Sequence, residues 1–327
     1  MNQFAIRKSQ PTPSDVHVNT PLTNISIAYM QMQSEYKAAD VFPVVPVSKQ
    51  TDRYFTYTKG DWFRDEAMKR APSAESVGSG FTLSSTATYS ADVWAFHKDI
   101  PDQVRANEDA VINSDRDATE FVTQRLLISR ERQFATTYTS SGVWDTTVTG
   151  GTDFTVWSNF ATSDPVGDVT TGMRTIKTNT GYRPNSLVMG GQVWDKLKDH
   201  PDILERIKYT QKGIISQDLV AQVFGVEKLI VMDGIYNSGN EGAANSMSQI
   251  LGKYALLCYS APSPSLLAPS AGYIFAWTGY GGRNAYGVSI SRMRNDLTKS
   301  DRIEGELAYD MKVVATDLGY LFSGVVA

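Results

Sequence analysis

A run of residues without glycine or proline, Asp102 to Tyr138, constrains this chain more than any other feature. Glycine and proline are the residues least compatible with a helix interior. The run therefore predicts a short helix from Asp102 to Ile112 and a longer helix that ends near Tyr138. Asn113 and Ser114 form a weak point between them, and Ser114 with Asp117 fits a capping box. At ~1.5 Å per residue the second helix is expected to be roughly 36 Å long.

The apolar residues of the longer helix lie on two different sides. One side carries Ala118, Phe121, Val122 and Leu126, and the other carries Leu127, Phe134 and Tyr138. A helix whose exposed side changes along its length contacts different neighbours at its two ends. We therefore expect this helix to be a spine on which the other segments pack.

Composition excludes several classes of protein. The 327 residues are 41% hydrophobic and 20% charged, which is typical of a soluble globular protein. The formal net charge of −4 argues against a dedicated nucleic-acid reader, which normally has a basic face. The single cysteine, Cys258, stands in an apolar run and is expected to be a small buried side chain. The first residues lack the apolar segment of a secretory signal, and no apolar window is long enough for a membrane span.

The first hundred residues are expected to depend on neighbours. Residues 1–50 contain prolines that favour extended backbone and too few apolar residues to fold alone, so they predict an arm that lies on another surface. Residues 51–97 predict a long β-hairpin, with strands at Arg53–Thr58 and at about Thr82–Phe96. A two-stranded hairpin is marginal in water, so we expect a partner to complete it.

The rest of the chain alternates helices and strands. Residues 143–167 are a predicted connector, and 168–282 predict a compact lobe with buried strands that include Ser186–Gly190 and Lys228–Asp233. Residues 283–327 predict three further strands that return to the spine helix.

The sequence contains no strong catalytic or ligand-binding motif. The histidines at 17, 97 and 200 lack metal-ligand spacing, and we expect ordinary structural roles for them. The glycine-rich stretches fail the dinucleotide and phosphate-loop patterns. Glu304 and Glu306 share one strand face, which is more typical of a solvated surface than of acid–base catalysis. We therefore predict no enzyme activity, no catalytic residue, no cofactor and no metal site.

Two charged segments are predicted to contact other subunits. The first is the hairpin tip, and the second is a run with interleaved charges of both signs, typical of a salt-bridging surface. The predicted contact residues are Trp62, Phe63, Arg64, Asp65, Lys69 and Arg70 in the tip, and Arg292, Arg294, Asp296 and Arg302 in the second segment.

The order of these segments resembles the major capsid protein of tailed bacteriophages, the Hong Kong 97 fold. The resemblance covers nearly the whole chain. Its most specific patterns are Ile100-Pro101-Asp102 at the start of the spine helix, Thr180–Asn185, Leu187–Gly190 with Val193-Trp194, and His200-Pro201-Asp202-Ile203.

The resemblance implies an α+β coat fold with a long spine helix, an extended β-hairpin (the E-loop), a peripheral P-domain sheet and an α/β A-domain. It assigns 1–50 to the N-arm, 51–97 to the E-loop, 98–142 and 283–327 to the P-domain, and 168–282 to the A-domain, with 143–167 as the connector. Such proteins mature by subunit rotation and helix straightening, and Asn113 and Ser114 are the predicted bend.

The implied function is structural. The chain is expected to assemble with itself through pentamers and hexamers into an icosahedral shell around double-stranded DNA, without sequence-specific DNA binding or a membrane. A separate scaffolding protein, a portal and a decoration protein are the other expected partners. The location is the virion capsid, after assembly in the host cytoplasm.

Two other functions stay open. An encapsulin-like nanocompartment would have the same fold and enclose cargo enzymes, although the extended proline-containing arm favours a virus. An α/β enzyme is disfavoured because nucleophile, metal and phosphate motifs are missing from the sequence.

Overall fold

The computed structural model of the chain describes residues 31–108, 113–208, 215–264, 269–279 and 287–327. Two sheets, a hairpin and one long helix organise these residues. The strands are β1 Val44–Val47, β2 Thr51–Tyr57, β3 Leu83–Ser90, β4 Asp92–Pro101, β5 Thr146–Thr149, β6 Ser186–Gly190, β7 Lys228–Met232, β8 Ile235–Asn237, β9 Met247–Gln249, β10 Ala255–Cys258, β11 Gly272–Trp277, β12 Ser289–Asn295, β13 Ser300–Val313 and β14 Gly319–Ser323. The helices are α1 Ala38–Val41, α2 Lys59–Trp62, α3 Asp102–Ala106, α4 Ser114–Tyr138, α5 Pro165–Thr180, α6 Gly191–Leu197, α7 Pro201–Ile207 and α8 Gln217–Phe224.

The first sheet, which we call the long-strand sheet, is built around β13. Strand β4 runs antiparallel along one side of β13, from Ser300 opposite Pro101 to Tyr309 opposite Asp92. On the other side β12 pairs with the first half of β13 and β11 with the second half. Strand β1 adds a parallel edge to β11. The alternating burial along β13 agrees with its alternating sequence, since successive strand side chains point to opposite faces.

The spine helix α4 crosses the long-strand sheet and has different neighbours at its two ends, as predicted. Near its start Ala118 packs with Ile100 and Ile303. A Cβ on Gly305 of β13 would lie only 2.6 Å from Val122, so the glycine permits this close approach of helix and sheet.

The second half of α4 is held by aromatic contacts. The ring of Phe134 lies 6.2 Å from that of Phe42 and 4.8 Å from that of Tyr138. Trp144 follows the helix and donates its indole N–H to the Tyr138 carbonyl at 2.7 Å. These contacts join the end of the spine helix to the arm.

The second sheet, which we call the buried sheet, has the order β5-β14-β10-β6-β7. Every residue of β6 and β10 is buried, as their continuous apolar sequences predict. Helices α5 to α8 pack beside it. Ser216 caps α8 and Gly225 ends it in the left-handed conformation, with φ of 70°, as its sequence indicates.

The hairpin differs from its prediction at one strand. The second strand was expected to run from about Thr82 to Phe96, but the segment divides at the buried Ala91. Only β3 pairs with β2, whereas Asp92 and the residues after it belong to the long-strand sheet. The alternation of the sequence continues through both strands, and so it gave no sign of the change of partner.

The described part of the arm lies on its own chain. Tyr36, Ala38, Val41 and Phe42 are buried, and β1 joins the long-strand sheet. The rest of the predicted arm, residues 1–30, lies outside the described residues.

Two details of the spine prediction are wrong. Helix α3 ends at Ala106, short of the predicted Ile112. Residues 109–112 lie outside the described residues. The N-cap of α4 is Asn113 instead of Ser114, and its side-chain oxygen accepts a hydrogen bond from the Arg116 backbone N–H. Phe121 is 39% exposed, whereas Ala118 and Val122 are fully buried.

Sheet membership crosses the predicted domain boundaries. Strand β11 lies within the predicted A-domain range yet belongs to the long-strand sheet, and β14, predicted with the P-domain strands, lies in the buried sheet. The predicted connector 143–167 supplies β5, an edge strand of the buried sheet. A sequence pattern identifies a strand but not the sheet that it joins, since pairing is set by distant residues.

Candidate subunit-contact surfaces

The predicted contact residues of the hairpin tip are exposed, and two of them are large and apolar. Trp62 is 54% and Phe63 is 65% exposed. Trp62 belongs to an aromatic cluster at the base of the tip, with ring centroids 6.0 Å from Tyr57 and 5.5 Å from Phe81. Contacts among these three rings stabilise the end of the hairpin. They leave the Trp62 side chain more than half exposed.

The charged tip residues make local contacts. Arg64 forms ion pairs with Asp61 at 3.3 Å and with Glu66 at 3.8 Å. Arg70 donates to the Ala74 carbonyl. Asp65 and Lys69 are exposed side chains. Exposed ion pairs of this kind contribute little to stability, so these charges leave the tip available to a partner.

The hairpin also contacts its own chain at both ends. At its root, Tyr89 stacks on Phe275 of β11 with a centroid distance of 4.6 Å and Tyr54 lies 5.5 Å from the same ring. Near its tip, the Lys59 ammonium lies 2.5 Å from the Asp317 carboxylate. The hairpin is therefore placed against its own subunit even where its aromatic side chains are exposed.

The second predicted contact segment forms an ion-pair network within the chain, which we call the Asp301 cluster. The Asp301 carboxylate, on β13, accepts hydrogen bonds from Arg105 and Arg292, and Arg294 approaches it at 3.2 Å. Arg294 also makes two bonds of 2.6 Å to Asp102, the first residue of α3. The network ties β12, β13 and the start of the helical segment together.

Further ion pairs extend the Asp301 cluster. Arg105 reaches Asp115 of the spine helix at 2.5 Å, and Arg292 reaches the same carboxylate at 3.3 Å. Asp296 lies 3.4 Å from Arg294. Arg302 forms a separate bidentate pair with Asp99 of β4, at 2.7 and 3.0 Å.

The electrostatic effect of the Asp301 cluster is large. The guanidinium groups of Arg105 and Arg292 hold the pKa of the Asp301 carboxyl well below its usual range. Arg294 lowers the pKa of Asp102 in the same way. Both carboxylates are therefore ionised at neutral pH and act as fixed partners for the arginines.

The sequence predicted only some members of these ion pairs. Arg292, Arg294, Asp296 and Arg302 were predicted contact residues, but the carboxylates Asp99, Asp102 and Asp115 that pair with these arginines were not, and neither was Arg105, which pairs with Asp301 and Asp115. The pairing of β12 with β13 places Arg294 opposite Asp301, a register that the sequence alone does not reveal.

A partly exposed apolar face lies on the spine side of the long-strand sheet, and the sequence did not predict it. We call it the spine face; its side chains are Phe96, Phe121 and Ile290. The rings of Phe96 and Phe121 are 5.8 Å apart. Arg125 lies 5.2 Å and Lys98 lies 5.5 Å from the Phe121 ring centroid. An apolar centre with a basic rim is typical of an interface.

The predicted bend lies where two helices are joined by side-chain contacts. The Ser114 backbone N–H and hydroxyl both donate to the Glu108 carboxylate, at 2.7 and 2.8 Å. Asn113 caps the spine helix. The bending role of Asn113 and Ser114 stays a prediction.

Two reactive residue types have structural roles. Cys258 is buried, and burial raises the pKa of its thiol to about 12, so it is a neutral packing group. His200 caps α7, its Nε2 lies 2.9 Å from the Ser163 hydroxyl, and burial lowers its pKa.

Within the described ranges, no cluster of three His, Cys, Asp or Glu side chains has the arrangement of a metal site. None of the helices in these ranges has the length and apolar character needed to cross a membrane.

Comparison with known proteins points to one class. The family described as phage major capsid protein E matches residues 148–242. The major capsid protein of Burkholderia phage BcepMu is 26% identical over 311 residues, covering 94% of this chain and 96% of its own. That of Pseudomonas phage JBD67 is 27% identical over 320 residues, covering 95% and 97%.

Solved structures of phage proteins have a similar fold. A phage-related protein from Bordetella bronchiseptica RB50 superposes with a TM-score of 0.67 at 24% identity, covering 90% of this chain and 94% of its own. The capsid of cyanophage P-SCSP1u superposes with a TM-score of 0.60 at 10% identity, covering 99% and 97%. The chain has the Hong Kong 97-like coat-protein fold. The resemblance to phage major capsid proteins predicted from the sequence is confirmed.

The same coat-protein fold also occurs in compartments. The holo-SrpI encapsulin complex of Synechococcus elongatus PCC 7942 superposes with a TM-score of 0.55 at 12% identity, covering 94% of both chains. The fold therefore does not by itself distinguish a virus from a compartment.

Proposed function

We propose that the chain is a structural subunit of an icosahedral phage capsid, present in many copies in the virion. The observation that carries the proposal is its similarity over nearly the whole length to two phage major capsid proteins. The role is mechanical, and the catalytic alternative has no group of residues to support it in the described ranges.

The hairpin and the spine face together support a contact between copies of the chain that forms rings. The hairpin presents Trp62 and Phe63, and the spine face presents Phe96 and Phe121, all of them apolar and at least one third exposed. Two different apolar surfaces on one chain match the requirement for heterologous contacts, which close into rings when the rotation between copies permits. We propose that the tip of one subunit covers the spine face of its neighbour in pentamers and hexamers.

The charges of the tip are mixed. The rim of the spine face is basic, with Lys98 and Arg125 beside Phe121. The tip carries the acidic residues Asp61, Asp65 and Glu66 and the basic residues Arg64, Lys69 and Arg70. Asp61 and Glu66 are already paired with Arg64. The proposed contact therefore rests on the apolar side chains and not on charge.

The Asp301 cluster is proposed as a rigid brace for this contact. Arg292, Arg294 and Arg302 already have carboxylate partners in the chain, and Asp296 is paired with Arg294. Their proposed role at the boundary between subunits is to fix β12 against the helices so that the spine face keeps its shape. The domain boundaries and the bend at Asn113 and Ser114 also stay part of the proposal.

The proposed content of the shell is double-stranded DNA held without sequence-specific contacts. A net charge of −4 repels the phosphate backbone, which suits a wall better than a binding protein. A scaffolding protein, a portal and a decoration protein are the proposed partners, and the host cytoplasm is the proposed place of assembly.

The function is tested by expressing the chain with and without its neighbouring genes. Light scattering and negative-stain microscopy then give particle mass and shape. Closed shells tens of nanometres across are expected, and shells only with the neighbouring genes would indicate an external scaffold. Small species in both preparations would overturn the shell proposal. Nucleic acid in native particles is expected for a virus, whereas particles filled with protein would favour an encapsulin-like compartment.

The contact is tested by Trp62→Ala, with Phe55→Ala as its control. Both aromatic side chains are more than half exposed and both belong to the hairpin, but Phe55 lies in β2, away from the tip. Folding of the isolated subunit should be nearly unchanged in both variants, since exposed side chains contribute little to the core. Assembly should fail or slow only for Trp62→Ala. Equal assembly of both variants and the wild type would refute the tip contact.

A further inference from the structure

A carboxylate is buried between the arm and the spine helix. Glu131 of α4 is 0% exposed, although ionised side chains are rarely buried without a full set of partners. Its Oε1 accepts a hydrogen bond from the Ala38 backbone N–H of α1 at 2.6 Å. Its Oε2 has no hydrogen-bond partner among the described residues. The contact joins residues 93 positions apart, so it fixes the arm to the spine and is not part of either element alone.

The surroundings of Glu131 contain groups from three elements. The arm contributes Tyr36 and the Lys37–Asp40 ion pair, whose atoms are 3.8 Å apart. The spine helix contributes Arg130, and β13 contributes Tyr309. Arg130 is the neighbouring cation that favours an ionised Glu131, while Asp40 opposes it. Burial of the carboxyl has a larger effect on its pKa than either neighbour, and it opposes loss of the proton.

The contact lies in the region that holds the arm in place. Ala38, Val41 and Phe42 of the arm are buried, and the Phe42 ring lies 4.7 Å from that of Tyr138. Movement of α1 away from α4 would expose Glu131 to water. Such movement is easier when Glu131 is charged, because water stabilises the charge that the buried site does not.

We propose that Glu131 is a proton-controlled latch, which holds the arm helix against the spine helix when its carboxyl is protonated and loosens it when the carboxyl is ionised. The latch lies within one chain and does not depend on the shell proposal. It would give the arm a docking strength that changes with pH on the acid side of neutrality.

The direction of the pH effect follows from burial. Burial raises the pKa of Glu131 from 4.5 to about 7, against the opposing effects of Arg130 and of the backbone N–H groups of Ala38 and Lys37. A raised pKa in the docked state means that docking takes up a proton. Docking is therefore strongest below pH 4.5, weakens as the pH rises to about 7 and stays weak above it. The two pKa values limit the change in the docking equilibrium to about 300-fold.

Hydrogen exchange of residues 36–42 in the full-length chain tests the latch. Protection factors, normalised to the intrinsic exchange rate, are measured from about pH 4 to about pH 8.5, a range that spans the expected transition. The assembly state is checked by light scattering at each pH. The wild type should lose protection by about tenfold or more as the pH rises from 4.5 to about 7, and the loss should level off above that value. Glu131→Gln keeps an acceptor oxygen without the charge and should show no such loss.

Glu120→Gln is the matched control, because Glu120 is an exposed residue of the same helix. It should behave like the wild type. A flat wild-type profile, or the same loss of protection in Glu131→Gln, would overturn the proposal. Glu131→Met is a second variant with similar volume and no charge. If neither Glu131 variant folds, the wild-type profile alone decides, and a profile without a loss of protection between pH 4.5 and about 7 rejects the latch.

Discussion

Two phenylalanines of the spine helix should separate folding from assembly. Phe134 is 0% exposed and packs against Phe42 and Tyr138, whereas Phe121 is 39% exposed on the spine face. Replacing each with alanine removes the same atoms from the same helix. The difference between the two variants therefore reports the surroundings of each ring.

The expected magnitudes follow from burial. Phe134→Ala should cost about 3–5 kcal/mol of unfolding free energy, because the cavity is enclosed by a tightly packed core. Phe121→Ala removes a side chain that is only partly buried in the isolated subunit, and the loss should be about 1–2 kcal/mol, including its contacts with two cations. A loss of the first size is a large part of the stability of a typical domain.

Urea unfolding of unassembled subunits, followed by circular dichroism, measures both free energies. Light scattering of the folded fraction then measures assembly. Phe134→Ala should give few folded subunits, and those that fold should assemble. Phe121→Ala should give folded subunits that assemble poorly. Equal destabilisation by the two substitutions would refute the assigned burial, and normal assembly of Phe121→Ala would refute the spine face as a contact.

Two further substitutions test the packing and the ion pairs. Gly319→Ala should destabilise the chain by about 3 kcal/mol, because its Cβ would lie 2.1 Å from the Trp144 ring, and thermal melting would reveal this. Gly60→Ala is the control, since a Cβ there meets nothing within 4 Å, and an equal fall in Tm for both variants would contradict the packing. Asp301→Asn should lower Tm at pH 7, because the lowered pKa of Asp301 means that its ionised form stabilises the fold above its usual value of 3.8. The difference from the wild type should shrink as the pH falls below that value, and a difference independent of pH would show that the charge of Asp301 is not responsible.

The sequence predicted those elements whose signal is local. The absence of glycine and proline indicated the spine helix, and its end at Tyr138 is confirmed. The apolar run at Ser186–Gly190 indicated a buried strand, and the strand has these bounds. Ser216 and Gly225 indicated the two ends of one helix, because capping depends on only a few neighbouring residues.

Features set by distant residues were missed. The division of the hairpin at Ala91 depends on the pairing of the next strand with β13. One partner of Arg294, Asp102, comes from α3, 192 positions away along the chain. The spine face arises because Phe96 and Phe121 come from a strand and a helix that meet only in the fold. The cap at Asn113 was missed for a different reason, since two adjacent residues both had suitable side chains.

The buried carboxyl of Glu131 was also invisible in the sequence. A glutamate within a charged stretch of a helix is typical of a solvated face. Its burial follows from the arm, whose short helix covers this turn of the spine. The sequence indicated an arm that needs a surface, but not which residues of the spine receive it.

An electron-microscopy reconstruction of particles assembled from this chain tests the central proposal most directly. We predict a closed icosahedral shell of pentamers and hexamers. In this shell each hairpin tip, with Trp62 and Phe63, covers Phe96 and Phe121 of a neighbouring subunit. Particles that do not close, or a shell in which the tip contacts only its own subunit, would contradict it.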